Sequence, residues 1–138
     1  MPAFETSMAS TYTVVDPDEV ELVPFPESGI YHRRLTEALA CEHMRITSVT
    51  LEPGQATAPH AHERQEEVYI AMSGGTVVVD GSSIELPAGG IVRFDAEAVR
   101  SVENHTEDET HEWLMLGAPP HGSVDDYGEY VMPEEHDE

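Results

Sequence analysis

The residues best suited to chemistry are two histidines and a glutamate near the middle of the chain. His60 and His62 are two positions apart, so on a β-strand both imidazoles would point to the same face. Glu67 follows five residues after His62. Two imidazoles and one carboxylate are ligands that a divalent first-row metal accepts, and they are the facial set of non-haem iron sites. The cluster therefore predicts a metal site formed by His60, His62 and Glu67.

Glycines frame this cluster at Gly54 and Gly74, where turns are expected before the first strand and after the second. Glu67 is a better candidate ligand than Glu66, because by alternation it shares a face with Tyr69. The whole segment fits the pattern G-x5-H-x-H-x4-E-x6-G and in this it resembles the first motif of the cupin family. The resemblance implies a double-stranded β-helix, or jelly-roll, barrel.

The second cupin motif, G-x5-P-x-G-x2-H-x3-N, has a partial counterpart further along the chain. Gly89 and Asn104 are in register with its first and last positions, whereas Asp95, Glu97 and Arg100 stand where the family has Pro, Gly and His. In the family that histidine is the fourth protein ligand. The resemblance therefore implies a metal site with an arginine in place of its last ligand.

An arginine offers only hydrogen-bond donors and cannot coordinate a cation. Two arrangements are open. Arg100 could turn away and leave a three-ligand site with open positions, or it could pair with Glu67 inside the barrel and neutralise the site. Arg100 and Tyr69 are the candidate substrate-binding residues.

The remaining histidines and aromatic residues are weaker candidates. His43, His105 and His111 are interpreted as surface or strand-end residues. Tyr69, with Phe94 and Trp113, either lines the site or packs in the core, and core packing is the more common role for large aromatic side chains.

Short apolar runs separated by turn signals predict an all-β single domain. Runs at 44–51, 67–72, 76–80, 83–86, 90–94, 98–103 and 112–117 have strand character. Asp80-Gly81 predicts a two-residue hairpin turn. We expect an N-terminal arm with short edge strands over residues 1–29, the barrel over 30–117 and an acidic C-terminal tail over 118–138, anchored by Tyr127, Tyr130 and Val131.

The charge balance restricts the partners. The chain has 28 acidic residues and 6 basic ones, all arginine, and a formal net charge of −22. Such a surface repels nucleic acid and anionic membranes. No apolar run is long enough for a transmembrane helix. The N-terminus lacks the features of a signal peptide. An acidic, lysine-free composition is typical of proteins from halophiles. The sequence thus predicts a cytoplasmic protein, and the resemblance implies a homodimer.

Three functions remain open from the sequence, because the cupin fold hosts many chemistries. The first is a metal-dependent enzyme of dioxygenase or isomerase type, with iron, manganese, nickel or zinc, acting on a small oxygenated or anionic metabolite. The second is a metal-free module that binds such a ligand through Arg100 and the two histidines. The third is a barrel without a ligand.

Overall fold

The structure is a computed structural model that describes residues 7–8, 11–26 and 28–120. Within this range eleven strands and one short α-helix follow one another, with a 3₁₀ turn at Pro17–Glu19. The elements are β1 (Ser7–Met8), β2 (Thr13–Val14), β3 (Leu22–Pro24), β4 (Tyr31–Arg34), α1 (Leu35–Leu39), β5 (Arg45–Leu51), β6 (Glu66–Ala71), β7 (Gly75–Val79), β8 (Ser82–Leu86), β9 (Gly90–Phe94), β10 (Arg100–Glu103) and β11 (His111–Ala118). The predicted strand content and the all-β class are confirmed. The predicted tail and its three anchors lie outside the described residues, apart from the first positions of that range.

The strands form two antiparallel sheets that face each other, with a separate β1–β2 pair. The larger sheet has the order β3-β4-β5-β11-β6-β9, and the smaller has the order β10-β7-β8. Strand order departs from chain order because β11 returns to lie between β5 and β6. This is the double-stranded β-helix that the motifs predicted.

Alternation along the strands decides which side chains fill the space between the sheets. In β5 the burial pattern is strictly alternating, with Val49 and Leu51 inward. Together with Val77, Val102 and Trp113 they belong to one apolar cluster. Because strand side chains have a period of two, the same inward face continues at one end of β5 and β6 to Arg45 and Glu67.

Local turn chemistry holds the strands in this register. Asp80 and Gly81 have φ values of 48° and 88°, the left-handed region that a two-residue hairpin turn requires. Val79 therefore lies directly opposite Ser82, as the Asp-Gly pair predicted. No helix within the described part of the chain is both long and apolar enough to cross a membrane.

Candidate metal centre

The two histidines lie on an irregular segment that runs beside the smaller sheet. Residues 54–62 follow β10 through single bridges rather than a continuous ladder. His60 N donates to Arg100 O at 3.1 Å and Arg100 N donates back to His60 O at 2.9 Å, while His62 N donates to Ala96 O at 2.8 Å. The segment is thus not the regular strand that we expected for His-x-His. It still turns both imidazoles inward, where they are 7% and 2% exposed.

Glu67 reaches the same point from the opposite sheet. It lies in β6 between Phe94 of β9 and Gly117 of β11. One ligand atom each from His60, His62 and Glu67 lie within 4.8 Å of one another, and His62 Nε2 is 3.3 Å from Glu67 Oε2. The fold therefore brings together the three residues that the spacing selected.

Arg100 adopts the second of the two arrangements that the sequence left open. Its Nη2 and Nε donate to Glu67 Oε1 at 2.7 and 3.2 Å. Its Nη1 is within hydrogen-bonding distance of three backbone carbonyls, those of Asp95, Ala96 and Ala98. The side chain is fully buried, and its guanidinium carbon is 5.1 Å from the centre of the Phe94 ring. Arg100 is thus committed to structural contacts around Glu67.

The electrostatics keep His60 and Glu67 in the forms that bind metal. Burial lowers the pKa of His60 to about 4, against the opposing effect of the Glu67 charge, so the ring is neutral near pH 7. Burial alone would raise the pKa of Glu67, but the hydrogen bonds and charges of His62 and Arg100 outweigh it and lower that pKa to about 2. His60 Nδ1 is 3.2 Å from the carbonyl of Ala58. A neutral ring there donates from Nδ1 and leaves the Nε2 lone pair available.

These groups fit a divalent transition metal. Ligand atoms about 2.0–2.2 Å from one ion are roughly 2.8–3.6 Å apart when adjacent, so the 3.3 Å between His62 Nε2 and Glu67 Oε2 matches such a pair. Arg100 bonds to Oε1, and Oε2, which also accepts from Gln65 Nε2, has a second lone pair for the ion. The fixed guanidinium charge opposes the cation and lowers its affinity without blocking a ligand position.

The other candidate residues are distributed as follows. Tyr69 is buried, with its ring centre 4.7 Å from that of Phe94 and 6.3 Å from that of Trp113, so it contributes to core packing; a role in substrate binding stays a prediction. His105 and His43 are exposed, as expected. His111 begins β11 as expected but is buried rather than on the surface, because it lies on the inward face of its strand.

The spacing did not identify two further polar residues at the site. Gln65 and Arg45 are both buried, and Gln65 lies between Arg45 and Glu67, with a hydrogen bond to each. Gln65 is adjacent to β6 in sequence, whereas Arg45 comes from β5, so only the sheet pairing reveals their proximity.

Comparison with known proteins identifies the family. The family model described as a cupin domain matches residues 47–117, just over half of the chain. The chain belongs to the cupin family. Among curated protein sequences, none is significantly similar to this cupin.

Solved structures share its fold. A predicted oxalate decarboxylase from Thermotoga maritima is 21% identical, with a TM-score of 0.67, over 77% of this chain and 98% of that one. A sugar phosphate isomerase of the cupin superfamily from Silicibacter pomeroyi is 22% identical, with a TM-score of 0.66, over 75% and 74% of the two chains. A protein with a double-stranded β-helix domain from Klebsiella pneumoniae is 17% identical, with a TM-score of 0.65, over 85% and 93%. At these identities the likeness concerns the fold.

Proposed function

We propose that this cupin is a metal-dependent enzyme that acts on a small anionic, oxygenated metabolite. The observation that carries the proposal is the convergence of His60, His62 and Glu67, with ligand atoms within 4.8 Å of one another in the barrel interior. Three protein ligands leave coordination positions for a substrate, as in catalytic rather than structural metal sites.

Each residue has a definite part in this proposal. His60 supplies a neutral imidazole nitrogen, His62 supplies a second ring nitrogen, and Glu67 supplies Oε2. Arg100 holds Glu67 ionised and oriented through its two bonds to Oε1. A divalent metal bound there supplies Lewis acidity, which polarises a substrate carbonyl or stabilises a developing oxyanion.

The distribution of positive charge supports an anionic substrate. The chain has only 6 basic residues against 28 acidic ones, yet three arginines occupy inward-facing strand positions at this end of the barrel. Arg34 lies opposite Thr47, Arg45 lies opposite Gly117, and Arg100 lies opposite His60. Arg45 and Arg100 already donate to Gln65 and Glu67, so their contribution to binding a small anion is the positive potential that they add at that location. Oxalate and sugar phosphates, named for two structurally similar proteins, are anions of this kind.

The decisive experiment is metal analysis of protein purified without an affinity tag. We expect close to one equivalent of iron, manganese, nickel or zinc per chain, or its uptake on incubation with those ions. His60→Ala combined with His62→Ala should abolish binding and preserve the β-rich circular dichroism spectrum. His105→Ala is the matched control, because His105 is exposed and pairs with Glu103 away from the site. A wild-type protein that takes up none of the four metals would contradict the proposal.

A second candidate function is a metal-free module that binds the same class of anion. The observation in its favour is the 2.7 Å ion pair between Arg100 and Glu67, which neutralises the carboxylate. This alternative requires anion binding by metal-free protein that persists in chelator. In contrast, the metal-dependent function requires that a chelator abolish binding of the anion.

A further inference from the structure

We propose that Gln65 is the positioning residue of the metal centre, oriented by Arg45 and accommodated by Gly117. Its role would be to direct Glu67 Oε2 towards His62 and the metal. The inference rests on the proposed function and assigns a task to three residues that no motif selects.

The contacts of Gln65 define its orientation. The side chain is 1% exposed. Arg45 Nε donates to Gln65 Oε1 at 3.0 Å, and Gln65 Nε2 donates to Glu67 Oε2 at 3.3 Å. Because a guanidinium has no acceptor, Arg45 must face the amide oxygen, and the amide NH₂ group is thereby directed at Glu67.

Gly117 supplies the space that Gln65 occupies. It lies in β11 directly between Arg45 on β5 and Glu67 on β6. A Cβ atom at position 117 would lie 2.6 Å from Gln65 Nε2 and 2.8 Å from its Cδ. Gly117 is not among the glycines with positive φ. Its missing side chain therefore matters here for space rather than for backbone conformation.

Together these contacts hold the Glu67 carboxylate at both oxygens. Arg100 bonds only to Oε1, so by itself it would allow the carboxylate to pivot about that atom. Gln65 Nε2 and His62 Nε2 are each 3.3 Å from Oε2, so both restrain the pivot, and Gln65 would continue to do so once His62 binds a metal. Hydrogen bonds that orient a metal ligand typically contribute about 10–100-fold to metal affinity.

The test compares metal binding in Gln65→Met, Gly117→Ala and the wild type. Gln65→Met keeps a side chain of similar length and removes the N–H donor to Glu67 without adding a charge. Gly117→Ala leaves every polar group in place and displaces Gln65 by steric contact. We expect both variants to bind Zn²⁺ and Co²⁺ about 10–100-fold more weakly, with a shifted visible spectrum of the Co²⁺ protein. The control is Gln55→Met, the chain's other glutamine, whose side chain accepts from Glu52 N in a loop.

The possible outcomes separate the two proposals. Affinities within about twofold of wild type in both variants would overturn the role of Gln65 and leave the metal-dependent function standing. A variant could also bind metal more weakly with an unchanged Co²⁺ spectrum, while its metal-free form loses thermal stability to a matching extent. This outcome would also overturn the role of Gln65, because a residue with a purely structural role lowers stability without changing the geometry of the metal site. Wild-type protein that binds neither ion would overturn the proposed function and this inference with it. If Gly117→Ala does not fold, Gln65→Met decides the question by the same criteria.

Discussion

At the scale of single residues, Arg100 is the residue that distinguishes this site from the motif of the family. Its backbone is paired with that of His60, and the sequence resemblance predicts that it replaces the histidine ligand of the family's second motif. The guanidinium cannot bind a metal, and it instead donates to Glu67 and to three carbonyls. A site with one fewer ligand and one added positive charge should bind its metal weakly and leave more coordination positions to the substrate.

Replacing Arg100 tests this description. Arg100→His should add an imidazole next to His60 and remove one positive charge, and so tighten Zn²⁺ binding about tenfold or more, which corresponds to roughly 1.4 kcal/mol. The metal-free variant should be less stable than wild type, because Glu67 and the carbonyls lose their donors. Isothermal titration measures the first effect and urea unfolding the second.

The matched control is Arg93→His, an exposed position on β9 that pairs with Glu66 and Asp95. This control should leave metal affinity unchanged. Unchanged or weaker metal binding in Arg100→His would mean that residue 100 does not hold the ligand position that its pairing with His60 indicates.

At the scale of elements, the site forms only where the two sheets pack against each other, because each sheet supplies part of it. The histidines come from the segment beside β10 in the smaller sheet, and Glu67 comes from β6 in the larger one. The β7–β8 hairpin also supports this arrangement, because its turn contacts the residue before Arg100. Asp80 N donates to Val99 O at 2.8 Å and Val99 N donates to Asp80 Oδ1 at 3.0 Å.

The hairpin turn offers a test of backbone conformation that is free of steric contacts. Gly81 has φ 88°, and a Cβ atom there would meet nothing within 4 Å. Gly81→Ala should therefore cost only the left-handed backbone strain of an L-residue, about 1–2 kcal/mol of unfolding free energy. Urea unfolding measures this loss. Ser82→Ala, on the neighbouring exposed strand position, is the control and should change stability by no more than about 0.5 kcal/mol. A loss as small as that in Gly81→Ala would show that the turn relaxes and does not fix the hairpin.

At the scale of the whole molecule, net charge is the dominant property. A charge of −22 on 138 residues creates strong self-repulsion, which opposes the compact state. Arg45 and Arg100 are buried inside the barrel, where their positive charges reduce this self-repulsion. The halophile origin, which is inferred from this charge, and the homodimer, which is implied by the family resemblance, stay predictions.

Stability should therefore depend on salt. The screening length falls from roughly 10 Å at 0.1 M salt to about 3 Å at 1 M, so most surface repulsion should disappear in molar KCl. We expect the melting temperature to rise steeply between about 0.1 M and about 2 M KCl, and a dimer, if formed, to loosen at low salt. Differential scanning calorimetry and light scattering measure these effects.

Sodium sulfate serves as the comparison salt, because it also strengthens the burial of apolar surface whereas KCl does so only weakly. A melting temperature that stays flat across the KCl series would remove the halophile interpretation.

The local pattern of residues was sufficient to predict an all-β domain and to select the three ligand candidates, whereas the jelly-roll topology was implied by the resemblance to the cupin motifs. Alternating apolar runs and Asp80-Gly81 act through neighbouring positions, since a period of two and a left-handed turn are properties of short segments. The spacing of His60, His62 and Glu67 likewise lies within one stretch of chain. These features depend on neighbouring residues and not on distant contacts, and a sequence therefore displays them directly.

Tertiary structure alone decided the orientation of Arg100 and the existence of the Arg45–Gln65–Glu67 connection. Arg100 is 33 positions from Glu67 and Arg45 is 20 positions from Gln65, so both contacts arise only when the sheets pair in this register. His60 and His62 face inward although their segment lacks a regular ladder, because single bridges to β10 hold it. Hydrogen bonds between distant buried groups depend on atomic distances after closure of the barrel, and no local pattern of residue types encodes those distances.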